Sequence, residues 1–144
     1  MRKIRFLAFI IFCGFVFITI PVNAQTYNQT ALDFLKRSIE CLLAGDYSNA
    51  IINCNEVIRR DPNSALNYVI RGRAYYELKD YERAIADFTQ AIRLDRNNFT
   101  AFTIRGNAHR QRGDIDRAIA DWEAALRINP DLEEAKTNLE SAKQ

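Results

Sequence analysis

A period of 34 residues runs through most of this 144-residue chain. Arginine, aspartate and alanine each recur at that step, in three columns: Arg37, Arg71 and Arg105; Asp46, Asp80 and Asp114; Ala50, Ala84 and Ala118. A fixed period of this length is typical of a small helical unit that is copied until neighbouring copies bury each other's apolar faces. The period therefore predicts an all-α repeat array.

Within each copy, two apolar stripes at helical spacing flank a short break, which predicts a helix, a turn and a second helix. The breaks are Ala44-Gly45-Asp46, Leu78-Lys79-Asp80 and Arg112-Gly113-Asp114. Pro62 and Pro130 follow the second helix of the first and third copies, where a missing N–H ends a helix. We therefore place repeat units at 31–64, 65–98 and 99–130, and a capping helix within 131–144.

The first 24 residues have the pattern of a cleavable export signal. Arg2, Lys3 and Arg5 precede an uncharged run, residues 6–20, and Val22-Asn23-Ala24 provides small residues for a peptidase after Pro21. The run is shorter than the ~20 residues that a spanning helix needs, so retention as a membrane anchor is the weaker alternative. We expect cleavage between Ala24 and Gln25, a short leader at 25–30, and a periplasmic or secreted protein.

The net charge changes when this segment is set aside. The whole chain has 20 basic and 18 acidic residues, and the segment contains three of the basic ones. The remainder is close to neutral, so it lacks the cationic excess that nucleic-acid binding requires. We expect no nucleic-acid partner, and membrane attachment only if the signal is retained.

The repeated positions resemble those of the tetratricopeptide repeat (TPR) family over nearly all of the chain after the signal. Six residues match its structural contacts: Gly72, Gly106, Ala84, Ala118, Phe88 and Trp122. Small residues let two antiparallel helices approach closely, and an aromatic ring fills the space beside them. The resemblance implies a right-handed α-solenoid of three helix-turn-helix units with a capping helix. It also implies a protein that binds other proteins. The residues offer no nucleophile–base constellation, glycine-rich phosphate loop or metal-ligand cluster, so we expect no enzymatic activity, cofactor or metal.

Two cysteines, Cys41 and Cys54, remain once the signal is removed. They occupy positions where the family has aromatic residues, on the facing stripes of the first and second helices. An even number of cysteines in an exported chain suggests a disulfide, which we predict here. The alternative is a pair of small buried thiols.

Charged residues also recur in register. Arg71 and Arg105 are each followed sixteen residues later by an aspartate, Asp87 or Asp121. We interpret them as structural ion pairs, either within one unit or between neighbours, and an anion-binding ladder of arginines is the functional alternative. The sole histidine, His109, is expected to be a packed ring.

Proteins that resemble this chain generally hold a partner segment against the concave surface of their first helices. The predicted groove residues are Leu32, Leu35, Ile39, Leu42, Leu66, Val69, Arg73, Tyr76, Asn107 and Arg110. Relatives that bind the C-terminal carboxylate of cytosolic chaperones have lysine and asparagine on the first unit and basic residues on the third. Leu35, Ile39 and Thr100 stand at three of those positions, so we do not expect that activity.

The apolar part of this surface, on the first unit, should be covered by something. The candidates are a peptide or amphipathic helix of another protein, a second copy of the chain, or the leader folded back. We therefore predict an exported scaffold or adaptor that binds a partner segment in the groove. The alternative is a self-associating envelope component with a homodimer interface on the first unit.

Overall fold

The computed structural model describes the backbone of residues 24–143 and the side chains of residues 30–143. These residues form seven helices, α1 (Ala24–Leu43), α2 (Tyr47–Arg60), α3 (Ala65–Glu77), α4 (Tyr81–Leu94), α5 (Phe99–Gln111), α6 (Ile115–Ile128) and α7 (Glu133–Ala142). Each helix packs on the next one along the chain, and α1, α3 and α5 also contact one another in sequence. The fold is three stacked helix pairs closed by α7.

The N-terminal boundary differs from the sequence prediction. Helix α1 already includes residues 25–30, so these residues do not form a separate leader ahead of it. A leader that is helical and continuous with α1 cannot fold back over the groove. The export signal itself lies outside the described residues, apart from Ala24.

The turn inside each pair uses a left-handed backbone residue at the same repeat position. Gly45 has φ 76°, Lys79 φ 61° and Gly113 φ 83°. A left-handed residue ends a helix by redirecting the chain, and glycine adopts that conformation without steric cost. The central turn makes the same geometry with a lysine.

Side-chain hydrogen bonds cap two of the three second helices at their start, and a side-chain turn follows all three. Asp46 and Asp80 each accept a bond from the backbone N–H three residues on, which caps α2 and α4. The arginine at position 96 stands where the other units have proline, and α4 nevertheless ends at Leu94. There the Asp95 carboxylate accepts from the Asn97 N–H at 3.0 Å, and Asp61 and Asn129 make the same turn at 3.2 Å in the units that have proline. The second unit therefore ends its helix with the turn that all three units share, and without the proline.

The core consists of helix pairs that meet over small residues. Ala84, Ala118, Phe88 and Trp122 are all fully buried. A Cβ atom on Gly72 would lie 3.1 Å from the Phe88 ring, and one on Gly106 would lie 2.7 Å from the Trp122 indole nitrogen. The two glycines therefore allow the ring of the second helix to lie directly against the backbone of the first. Among residues 24–143, no helix has the length and apolar character needed to cross a membrane.

Candidate functional site

The concave surface contains a groove of about 380 Å³ between α3, α5 and the start of α7. Helix α3 contributes Arg73, Tyr76 and Glu77, and α7 contributes Glu134 together with the preceding Leu132. Helix α5 supplies Phe99, Thr100, Thr103, Ile104 and Asn107. The lining is mixed in charge, with a cation and a carboxylate on one wall.

The same surface becomes apolar towards the N-terminus. Leu66 and Leu32 occupy the repeat position of Thr100, and Ile39 occupies that of Arg73. Leu32 is 49% exposed, Leu66 50% and Ile39 37%, while Leu35, Leu42 and Val69 are half-buried. A stripe of aliphatic side chains on α1 and α3 therefore continues the groove outward from its polar end.

Two of the predicted groove residues have a further role. Asn107 is buried, and its Oδ1 accepts from Trp122 Nε1 at 3.0 Å and from Asn138 Nδ2 at 2.9 Å. Its Nδ2 donates to Glu134 Oε1 at 2.9 Å. Asn107 thus joins α5, α6 and α7 while it also lines the groove, and its contact with a partner stays a prediction.

Arg110 is also engaged by the capping helix. Its Nη1 donates to Asn138 Oδ1 at 2.9 Å, and its guanidinium lies 5.4 Å from the Trp122 ring centroid. These contacts fix α7 against the last repeat pair. Arg110 therefore anchors α7, and its contact with a partner in the groove stays a prediction.

The groove includes a residue that the prediction missed. Glu134 lies one repeat step after Thr100, at the position of Leu66 and Leu32. The predicted groove residues include none from the capping helix. Extending the Leu66–Thr100 column by another 34 residues would have found Glu134.

The arginine–aspartate pairs form within one unit, which answers a question the sequence left open. Arg71 donates from Nε and Nη2 to the two carboxylate oxygens of Asp87, at 2.8 and 2.7 Å. Its Nη1 reaches back to Asn55 Oδ1, on the preceding unit, at 2.7 Å. The bond to Asp87 raises the pKa of Arg71 above its ordinary value.

The next unit repeats this arrangement. Arg105 makes the same paired bonds to Asp121, at 2.8 and 2.7 Å, and its Nη1 donates to Thr89 Oγ1 at 2.9 Å. Each guanidinium thus links three helices and has three of its five N–H donors engaged by the scaffold. This geometry favours structural ion pairs over an anion-binding ladder.

The two cysteines are free thiols, contrary to the predicted disulfide. Cys54 is buried beside the Ser38 hydroxyl, and burial raises the pKa of its thiol to about 11. The Sγ atom of Cys41 instead lies 3.9 Å from Nδ2 of Asn53, the residue that precedes Cys54. Because successive helical residues point about 100° apart, Cys54 is directed to a different part of the interface from Asn53.

His109 is a packed ring, with Nδ1 3.6 Å from Asp114 Oδ2 and Nε2 4.0 Å from Asp121 Oδ2. Burial lowers the pKa of His109, while the two carboxylates act in the opposite direction. Nδ1 is buried and has no hydrogen-bond partner among the described residues. Within residues 30–143, no group of three or more histidine, cysteine, aspartate or glutamate side chains is placed to hold a metal ion.

A family model described as tetratricopeptide repeat matches residues 71–133. A comparison with curated proteins gives no match. The second TPR domain of the human RPAP3 protein, solved in complex with an HSP70 peptide, is 32% identical with a TM-score of 0.78; the alignment covers 82% of this chain and 98% of that one.

Two further solved structures are similar. The second TPR of Spaghetti (RPAP3), bound to an HSP90 peptide, is 34% identical with a TM-score of 0.69, and the alignment covers 74% of this chain and 98% of that one. The Arabidopsis OM64 TPR domain has a TM-score of 0.79 over 81% of this chain and 97% of its own, at 23% identity. That last likeness concerns the fold alone.

Proposed function

This chain belongs to the tetratricopeptide repeat family, and on that premise we propose that it is a non-catalytic adaptor holding a segment of a partner protein. The binding surface is the concave face of α1, α3 and α5. Its apolar end is formed by Leu32, Leu35, Ile39, Leu42, Leu66 and Val69, and its polar end is the groove beside Arg73, Tyr76 and Glu77.

One observation supports the proposal most strongly, the exposure of large aliphatic side chains on α1 and α3. Leu32 and Leu66 each leave about half of their surface in solvent. Contiguous apolar patches on soluble proteins mark interaction sites more often than chance. The side of α1 that faces away from α3 is polar, since Asp33, Lys36 and Glu40 are exposed there. The patch therefore belongs to the concave side and is not an unfinished end of the stack.

The relatives support a shared mode of binding rather than a shared ligand. The human RPAP3 domain was solved with an HSP70 peptide and the Spaghetti domain with an HSP90 peptide. Here Leu35, Ile39 and Thr100 replace polar or basic residues that the resemblance associates with carboxylate binding. We therefore propose that the bound segment lies where it does in these relatives, but that it is not an acidic chaperone peptide.

We also propose that the adaptor acts outside the cytoplasm. The support is the N-terminal order of three cations, an uncharged run and a small-residue cleavage motif. N-terminal sequencing of the protein recovered from a periplasmic or culture fraction should begin at Gln25. Recovery only from the cytoplasm, with residues 1–24 intact, would contradict export.

The groove proposal can be tested by photo-crosslinking in the native host. A benzophenone amino acid replaces Leu66 in one version of the full chain and Ile52 in another. Ile52 is 60% exposed and lies on α2, outside the concave surface, so it is a control of similar exposure. We expect a defined heterologous adduct from position 66 and none from position 52.

Two other results would count against the proposal. Equal adducts from both positions would mean that the groove is not the binding surface. An adduct consisting only of a second copy, together with a dimer mass by light scattering, would favour the alternative of a self-associating component.

A further inference from the structure

The exposed apolar residues of α1 are spaced like the contact face of a helix that packs on another helix. Leu32, Leu35, Ile39 and Leu42 follow one another at intervals of three, four and three residues. Alternating three and four is the spacing with which two helices interlock side chains along a common seam. An extended peptide presents its side chains on alternate faces and has no matching repeat.

Two cations lie on opposite sides of this seam. Arg73, on α3, occupies the repeat position of Ile39 and lines the groove. Lys36 corresponds to Ile104, which packs against the core of the preceding unit, so Lys36 lies on the side of α1 away from α3. Both side chains are exposed, and neither makes an ion pair with a carboxylate of residues 30–143.

The acidic residues nearest these cations, Asp33, Glu40 and Glu77, stand three or four residues away but form no ion pair with them among residues 30–143. Asp33 and Glu40 lie further round the helix than Lys36, at about 100° from Leu32 and Ile39 respectively. Glu77 follows Arg73 by one turn, near the C-terminal end of the stripe. The middle of the seam is therefore apolar with a cation on each side.

We infer that the segment held in the groove is an α-helix of another protein, with apolar residues at three–four spacing and acidic side chains on both flanks. This inference rests on the proposed function and specifies its ligand. The acidic flanks would lie opposite Lys36 and Arg73, where each would meet a cation that has no partner within the array.

A second copy of the chain fits this surface less well. A two-fold axis would bring identical surfaces together. In an antiparallel pair the Lys36 side chains of the two copies would approach each other near the centre, and so would the Arg73 side chains. In a parallel pair Lys36 of one copy would face Arg73 of the other. Each arrangement places cation against cation, which disfavours self-pairing.

The test uses three fluorescent peptides and the full chain. The first is a stapled helix with leucines at three–four spacing and glutamate on both flanks. The second has lysine in place of every flanking glutamate. The third has the composition of the first, with prolines that prevent a helix. Fluorescence anisotropy measures the affinity of each peptide.

The wild type should bind the glutamate helix about tenfold more tightly than the lysine helix, with a preference that weakens as salt is added. The double variant Lys36→Glu, Arg73→Glu should reverse this preference. Ile52→Asp, with unchanged affinity, is the matched control. Equal binding of the two helices would overturn the charge assignment, and equal binding of the proline peptide would overturn the helical one.

These outcomes remain separate from the proposed function. A heterologous adduct at position 66 combined with no preference for the glutamate helix would refute only the ligand assignment. The absence of both the adduct and peptide binding would refute the groove itself. Circular dichroism of the double variant checks that both exchanged residues, being exposed, leave the helices intact.

Discussion

A Cβ atom added to Gly106 would lie 2.7 Å from the indole nitrogen of Trp122. The same nitrogen donates to Asn107 Oδ1 at 3.0 Å, so the ring cannot move away without breaking a buried bond. Gly106 therefore sets the separation of α5 and α6, and through Asn107 it also affects the attachment of α7.

Gly106→Ala should lower the free energy of unfolding by about 1–3 kcal/mol, although alanine is the better helix former, because the added methyl overpacks a rigid contact. Gly72→Ala is the matched control, since its Cβ would meet the Phe88 ring edge at 3.1 Å. Urea denaturation should show the smaller effect at position 72. A Gly106→Ala protein more stable than the wild type would refute this account of the interface.

Asp87→Asn should destabilise the array by about 1–3 kcal/mol, because it leaves the partly buried Arg71 guanidinium without its carboxylate. Glu123→Gln is the control: Glu123 makes an ion pair with Lys143 on the surface, and its loss should not change the urea midpoint measurably. Equal effects of the two changes would mean that the buried pair adds nothing beyond a surface contact.

Lys79→Gly should stabilise the protein by about 0.5–1 kcal/mol, because glycine adopts the left-handed conformation at this turn with less strain than lysine. Gly113→Lys, at the same position of the next unit, should destabilise it by a similar amount. Thermal melts of the two variants should shift in opposite directions. A drop in melting temperature for Lys79→Gly would contradict the strain assigned to this residue.

The stability of the array should decrease as the pH falls from about 7.5 to 5. Burial lowers the pKa of His109 in the folded chain below the ordinary value of 6.5. As the pH falls, the unfolded state therefore binds a proton at His109 before the folded state does. The neutral His109 ring contributes fully to stability above pH 6.5, and this contribution is lost as the pH falls through the lower folded pKa.

The measurement is urea denaturation at pH 7.5 and 5.5 of the wild type and of His109→Tyr. The variant copies the second unit, which has Tyr75 at this position. The wild type should lose more stability between the two pH values than the variant. Identical losses would show that His109 does not contribute to the pH dependence.

Much of the fold could be predicted because the 34-residue period constrains it at every position. The column of Gly72 and Gly106 predicts a close helix contact, and the arginine and aspartate columns predict an ion pair. The period could not choose between partners within and between units, since Asp87 and Asp121 are both one helix away from Arg105. That choice depends on side-chain direction, which the structure provides.

The contacts that the period did not predict lie where the repeat ends. Asn107 shares the column of Ile39 and Arg73 and lines the groove, but its amide makes further bonds there. The final unit packs against α7, and the polar residues Glu134 and Asn138 take up the Asn107 amide. A capping helix has few apolar residues to reveal its orientation, so the periodic pattern did not predict these polar contacts with α7. The disulfide failed for a similar reason, because Cys41 and Cys54 occur only in the first unit and no second copy defines their contact.

The central claim is that the apolar stripe of α1 contacts the partner segment. The most direct test is the affinity of the double variant Leu35→Asp, Ile39→Asp for the protein crosslinked at position 66, with Ile52→Asp as the control. The account predicts that the double variant loses binding while its helical circular dichroism spectrum is unchanged, and that the control binds like the wild type. Undiminished binding by the double variant would contradict it.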